Sequence, residues 1–531
     1  MADTVVHPRI RAGVLEDRLY QGNIAQSAVA RNTLVVLPTG LGKTTIALRT
    51  MAETWDRAPT RSLLFLAPTR PLVVQHARSI EAALVGPEPV VLTGTIPPAR
   101  RAALVNPPQV IVATPQVIAN DLAQGGLRLD PFALIVFDEA HRAVGEYPYV
   151  AIAEANREGP RARVLAMTAS PGSQLERVRE VWANLGIEHF ELRTAEDPDV
   201  RPYVHDIGVE VREVPVPAEL QQLAVLLRAA VRRQTEQLRA FGLLGATEAT
   251  RRELLAVGAT IHGQIEGYRS RGENVPPRLW TVNTAHAAAM KGLHALELAE
   301  SQSVDGLRKF LDEQGEPKRG RVSPAQRAFV GDPDVVRTRA ALGSTELEHP
   351  KVAMTVEIVS QELHAAPLSR VLVFAQFRRT AEQLVGELAL LRDPAVRPAR
   401  FVGQASRGAD VGMTQKEQVE LLDRFRSGAV NCLVATSVGE EGLDVPSTDL
   451  VIFYEPVPDV IRTIQRRGRT GRFRAGRTIV LQAPGRDVVL QRASRARERK
   501  MVEILDRVEE ESRKGSLRPA ARRTVQQQLP G

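Results

Sequence analysis

The stretch Leu34–Thr45, LVVLPTGLGKTT, passes from an apolar, strand-like run through two glycines into a lysine and two threonines. That order suits a phosphate. Gly40 and Gly42 let backbone amides approach phosphate oxygens, and a helix starting behind them adds N–H donors and the positive end of its dipole. Lys43 is placed to reach the β- and γ-phosphates of a nucleoside triphosphate, and Thr44 to ligate Mg²⁺. The first glycine of the full G-x-x-x-x-G-K-[ST] pattern falls on Leu37, so a plain glycine-rich connector is the competing reading. Further along, Ala133–His141 reads ALIVFDEAH. Its apolar run delivers two adjacent carboxylates to the C-terminal end of a buried strand, where open α/β sheets place their ligands. Asp138 suits a metal shell, and Glu139 the orientation and deprotonation of an attacking water. A solvated sheet edge is the other reading of that pair. A third cluster, Gln465–Arg472 (QRRGRTGR), crowds four arginines together. An anion must relieve their repulsion. It is either charge on a transferring phosphoryl group, met by Arg469 and Arg472, or the backbone of a nucleic acid.

The elements that must carry these groups follow from the apolar runs. Thr33–Leu37, Ser62–Ala67, Gln109–Ala113, Ala133–Phe137 and Arg163–Met167 form one series. Arg370–Ala375, Asn431–Ala435, Asp449–Tyr454 and Arg477–Gln482 form another. Each is near-continuously apolar, as parallel strands covered on both faces are, and helical patterns separate them. Two parallel-sheet α/β domains are therefore predicted. Between them, Leu220, Leu223, Leu227, Val231, Leu238 and Phe241 recur at helical spacing, and Arg251–Tyr268 and Thr284–Ser301 are also helical in pattern. Gln314–Gly320 reads as a loop. The predicted organisation is a first domain over 1–210, a helical insertion over 211–348, a second domain over 349–510, and a basic, disordered tail over 511–531.

Composition narrows the function classes. At ~100–200 residues per domain, 531 residues suit about three domains. Hydrophobic residues are 43% and charged residues 25%, an ordinary globular balance. No apolar run approaches the ~18–20 residues that cross a bilayer, and the N-terminus carries no signal-like apolar core, so a cytoplasmic location is expected. The single cysteine, Cys432, lies in an apolar run and reads as a buried small hydrophobe. It excludes an intrachain disulfide and a cysteine zinc site. The net charge of +8 is uneven: residues 456–531 hold 19 Lys/Arg against 8 Asp/Glu. That concentration is the footprint of a polyanion partner. Arg outnumbers Lys by 62 to 8, a bias that a GC-rich genome also produces. Aromatic residues are only 4%, so binding through the nucleic-acid backbone is expected to dominate over base stacking.

Taken together, GLGKT, DEAHRAVG, FVGQAS, ATSVGEEGLDVP and QRRGRTGR occur in an order that resembles a superfamily-2 helicase, specifically the archaeal Hef and Fanconi-anaemia-M group, from about Arg18 to Lys500. The resemblance implies two RecA-like motor domains flanking a thumb-like helical insertion. It implies ATP and Mg²⁺ as cofactors and forked or branched DNA as substrate, with repair of replication forks as the setting. In RLYQ, Gln21 resembles an adenine-reading residue. With Thr39, Gly40, Gly42, Lys43, Thr44, Gly442 and Asp444 it makes up the implied nucleotide set. Gln465, Arg469 and Arg472 join Lys43, Asp138 and Glu139 as implied catalytic residues. APTRPL, TG, ATPQ, FAQF, FVGQ and ATS resemble strand-contacting elements, implicating Thr69, Arg70, Thr93, Gly94, Thr114, Gln116, Gln376, Gly403, Gln404 and Thr436. Thr168-Ala169-Ser170 resembles the element coupling hydrolysis to movement, with His141 expected to bond towards Thr168 or Gln465. Arg228, Arg232 and Arg239 line the polar side of the first insertion helix, where they either meet phosphates or face solvent. Glu498-Arg499-Lys500 is the start of a nuclease-like ERKxxxD pattern, but Ile504 stands where its Asp belongs. It reads instead as part of the second domain's terminal helix. A monomer is expected, with a nuclease or clamp as the kind of protein partner. An RNA helicase or double-stranded-RNA translocase of the RIG-I/Dicer type, sharing motor and insertion, is the alternative.

Overall fold

The structure, a computed structural model, describes residues 3–38, 41–105, 108–159, 161–169, 175–194, 197–203, 208–246, 248–316, 322–343, 347–403, 412–436, 448–456 and 477–514. The first sheet comprises β1 (Thr33–Val36), β2 (Ser62–Leu66), β3 (Val90–Leu92), β4 (Val110–Ala113), β5 (Phe132–Asp138), β6 (Arg163–Thr168) and β7 (His189–Leu192). Its order is β3-β4-β2-β5-β6-β1-β7, with every pairing parallel. The second comprises β8 (Gly208–Glu213), β9 (Val371–Phe374), β10 (Pro398–Phe401), β11 (Cys432–Ala435), β12 (Leu450–Phe453) and β13 (Arg477–Gln482). Its order is β10-β11-β9-β12-β13-β8, also parallel throughout. Apolar clusters cover both faces of each sheet, which is why the central strands are near-continuously apolar. Cys432 is buried in the second sheet, and burial pushes its thiol up to about 12.

All nine predicted strands are present. The four strands not predicted, β3, β7, β8 and β10, are the outermost strands of the two sheets. β8 changes the partition of the chain. Residues 208–213, divided by sequence between the first domain and the insertion, pair residue for residue with Arg477–Gln482 in the second sheet.

The intervening residues form helices Ala218–Ala240, Arg251–Ser270, Pro277–Ser301, Val304–Gly315, Pro324–Val330 and Pro333–Gly343. The first buries Leu220, Leu223, Leu227, Val231 and Leu238, the predicted stripe, whereas Phe241 lies beyond its end and is 47% exposed. Glu253 and Thr250 close a reciprocal capping box at the start of the second. The end of Pro277–Ser301 is buried on all sides and meets the second sheet's domain. There Lys351 pairs with Asp487, both fully buried, while Tyr454 Oη donates to the Gln302 carbonyl.

The terminal helix, Arg486–Arg513, departs from its predicted place. Asp487 anchors its start in the second domain, but Ile504, Leu505 and Val508 belong to the core of the first sheet. Glu511, assigned by sequence to a disordered tail, lies in this helix and pairs with Arg179 of the first domain at 2.8 Å. At ~1.5 Å per residue such a helix is ~42 Å long, enough to strap one domain to the other. Among the described residues, no helix is long and apolar enough to cross a membrane.

Candidate nucleotide site and nucleic-acid face

β1 is followed by Leu37, whose amide donates to the Thr168 carbonyl at 3.1 Å and so extends the β1–β6 ladder by one residue. This explains the glycine missing from the phosphate-loop pattern: position 37 still bonds to β6 as the strand before it does and needs no special backbone. Gly42 does. It caps the helix Lys43–Arg57 with φ +86°, and a Cβ there would sit 2.3 Å from Gln21 Nε2. Lys43 Nζ reaches back to donate to the Leu37 carbonyl at 3.0 Å. Gln21 is buried behind the loop, and its Nε2 donates to the Leu41 carbonyl at 3.0 Å. Tyr20 Oη donates to that same carbonyl at 2.6 Å. Tyr20 was not singled out by sequence, since a fully buried tyrosine reads as core. Among the described residues, Gln21 Oε1 is buried without a hydrogen-bond partner.

Asp138 is the last residue of β5 and Glu139 the first outside it. Tyr149 Oη donates to the Asp138 carbonyl at 2.6 Å, and His76 Nε2 lies 3.0 Å from Asp138 Oδ2. Burial opposes ionisation of this carboxyl. His76, Lys43 and the Glu139 amide outweigh it and hold the group below the usual carboxylate range. The chain then turns sharply, with Glu139 at φ 51° ahead of the short 3₁₀ turn Ala140–Arg142. A non-glycine residue in this region costs of order 1–3 kcal/mol and concentrates at functional sites. Glu139 Oε2 is buried without a hydrogen bond, 3.4 Å from His141 Nδ1. His141 Nδ1 also lies 3.0 Å from Thr168 Oγ1, one of its two expected partners. An acceptor held unsatisfied beside a phosphate loop suits a bound water, and Asp138 beside Lys43 suits a divalent cation on a triphosphate.

The strand-contact candidates stand at other strand ends of the same sheets. Thr69 caps the helix Arg70–Ala83 after β2, Thr93 and Gly94 follow β3, and Thr114 caps the helix Pro115–Ala123 after β4. A Cβ on Gly94 would lie 3.4 Å from Arg70 Nη2, so these elements meet. Arg70, Gly94 and Gln116 are exposed. β3, β4 and β2 are neighbours, as are β10, β11 and β9, whose ends are followed within two residues by Gly403, Thr436 and Gln376. Gln376 is exposed, Gly403 accepts from Arg378 Nη2 at 2.9 Å, and Thr436 is buried with its amide on the Phe401 carbonyl. Arg101 and Asp121, not picked out by sequence, form a buried ion pair that ties the Ile96 carbonyl to the helix Pro115–Ala123. In the insertion, Arg228 is engaged by the largely buried Glu300 and Arg232 by Glu236, four residues on in the same helix, while Arg239 is exposed. Thr39, Gly40, Gln404, Gly442, Asp444, Gln465, Arg469, Arg472 and Ser170 lie outside the described residues.

Residues 18–178 match the DEAD/DEAH box helicase family and residues 354–474 the helicase conserved C-terminal domain. A Methanocaldococcus jannaschii protein named as an ATP-dependent RNA helicase is 38% identical over 94% of this chain and 62% of its own length. The ATP-dependent DNA helicase mph1 of Neurospora crassa is 33% identical over 91% of this chain and 42% of its own length. The chain thus spans less than two thirds of the length of each of these two proteins. The crystal structure of the Pyrococcus furiosus Hef helicase domain superposes with a TM-score of 0.69 at 40% identity, covering 92% of this chain and 100% of that domain. Sequence and backbone agree over the entire length of that domain, and on this ground the chain belongs to the Hef family of DEAD/DEAH-box helicases.

Proposed function

We propose that this chain is an ATP-driven DNA helicase and translocase that acts on forked or branched DNA during replication-fork repair. The observation that carries the reading is a division of labour within the first sheet. Residues suited to a triphosphate lie at the ends of β1, β5 and β6, and residues suited to a strand at the ends of the adjoining β2, β4 and β3. ATP use is common to the family. DNA is favoured over RNA by the likeness to the ATP-dependent DNA helicase mph1.

In this reading Thr39, Gly40, Gly42 and Lys43 hold the phosphates, and Gln21 reads the base with its unpartnered Oε1. Thr44 and Asp138 hold Mg²⁺, which when bound supplies charge neutralisation at the β- and γ-phosphates. Glu139 orients the attacking water and takes its proton. Gly442 and Asp444 contact the nucleotide from the second domain. Gln465, Arg469 and Arg472 complete the site, with the arginines meeting charge that develops on the γ-phosphoryl group. His141 and Thr168 join the hydrolytic turn to β6, so that loss of the γ-phosphate is felt by the first domain. Thr69, Arg70, Thr93, Gly94, Thr114, Gln116, Gln376, Gly403, Gln404 and Thr436 track one strand by its backbone. A monomer acting with a nuclease or clamp in the cytoplasm, on the nucleoid, completes the proposal.

The deciding experiment compares ATP turnover on single strands, forks, four-way junctions and RNA duplexes. Strongest stimulation by forks or junctions is expected, whereas RNA duplexes above all DNAs would reassign the substrate. Glu139→Gln should reduce turnover by about 10²–10⁴-fold, the range of general-base catalysis, with nucleotide still bound. Unchanged turnover would remove the hydrolytic assignment.

A further inference from the structure

His76 lies at the boundary between the two halves of the first sheet. It projects from the helix Arg70–Ala83, which follows β2, and its Nε2 meets Asp138 Oδ2 at the end of neighbouring β5. The helix starts with the strand-contact candidates Thr69 and Arg70, and His76 is ~9 Å further along its axis. The side chain is 6% exposed, and its ring lies 4.4 Å from that of Phe65. Its other nitrogen, Nδ1, is buried with no hydrogen-bond partner among the described residues. An apolar side chain would fill the space against Phe65 without that cost. What an apolar side chain cannot provide is the polar contact to Asp138. A group fixing the orientation of a metal-binding carboxylate acts much as a second residue behind any metal ligand does.

We propose that His76 is a positioning residue for Asp138, and that through it the helix carrying Thr69 and Arg70 sets the carboxylate in its metal-binding orientation. This rests on the assignment of Asp138 to the cation under the proposed function. Strand engagement at the start of the helix then reaches the ATP site by one rigid element and one hydrogen bond.

Three variants of the full chain test it. His76→Phe keeps the ring and removes the polar contact. His76→Gln restores a donor at similar reach, and Asp138→Asn alters the carboxylate itself. Mn²⁺ binding in the presence of ADP, followed by electron paramagnetic resonance, gives a readout independent of turnover. His76→Phe should weaken Mn²⁺ binding by about 10–100-fold, the usual effect of losing a group behind a metal ligand. His76→Gln should recover most of it, and stimulation of ATP turnover by single-stranded DNA should fall in the same order. Wild-type Mn²⁺ affinity in His76→Phe, whatever its Tm, would overturn the proposal. So would equal losses in the Phe and Gln variants, which would place the effect in packing. Wild-type affinity in Asp138→Asn would instead overturn the assignment of the carboxylate, a separate failure.

Discussion

Replacing Glu455 by Gln should remove a pH dependence of stability that the fold creates at one joint. Glu455 follows β12 and is buried where the insertion meets the second domain. Its Oε2 accepts from Gln302 Nε2 at 3.2 Å, and the Gln376 amide also faces it. Burial pushes the carboxyl from its ordinary 4.5 up to about 7, with Asp487 reinforcing the shift and Lys351 and Gln302 opposing it. Of the other groups at this joint, burial and Lys351 depress His349 to about 3, so it stays neutral across the range that matters. Between 4.5 and about 7 the folded chain keeps a proton that the unfolded chain has released. The stabilisation is therefore fully present below the unfolded value and is lost as pH rises through the folded one. A displacement of that size corresponds to about 3 kcal/mol. Gln cannot ionise, so the Tm of Glu455→Gln relative to wild type, read on the transition of a unit of about 150–250 residues holding the second sheet, should climb by roughly 6–12 °C between pH 5 and pH 8.5. Thermal unfolding of both proteins across that range is the assay. The difference between them cancels every other titrating group. A pH-independent difference would show that Glu455 ionises normally, and that the joint is wetter or more polar than its packing indicates.

Two further substitutions probe other features. Leu505→Ala removes a side chain of the terminal helix from the first sheet's core and should cost about 2–5 kcal/mol. Thermal unfolding would register the loss and proteolysis should accelerate within that helix, whereas an unchanged Tm would mean the helix does not strap the domains in solution. Gly42→Ala places a Cβ at φ +86° and 2.3 Å from Gln21 Nε2, so ATP affinity measured by calorimetry should fall by at least tenfold, a loss of about 1.4 kcal/mol. Undiminished binding would show that the loop tolerates a different backbone.

The central strands were legible because burial on both faces demands apolar residues at every position, and that demand is written locally. The phosphate loop and the Asp-Glu turn were legible for a related reason: strand-to-helix geometry is set by a few consecutive residues. The outermost strands were not. β3 is apolar but only three residues long, β10 is only partly buried, β7 alternates, and β8 mixes valines with charged residues, so none leaves an apolar run of the length seen in the central strands. Helix periodicity marked the insertion, yet could not show that Arg228 would be engaged by Glu300 from another helix.

The sequence alone determined the α/β class, the order of motifs, the glycine at 42 and the paired carboxylates, since each is a property of neighbours in the chain. Tertiary structure decided what depends on distant groups meeting. It brought His76 to Asp138 across 62 positions, Lys351 to Asp487 across 136, and Arg179 to Glu511 across 332. Buried polar contacts of this kind have no local signature. A histidine two turns into an amphipathic helix and a lysine at a helix start look like ordinary surface residues until folding excludes water and brings each to a carboxylate.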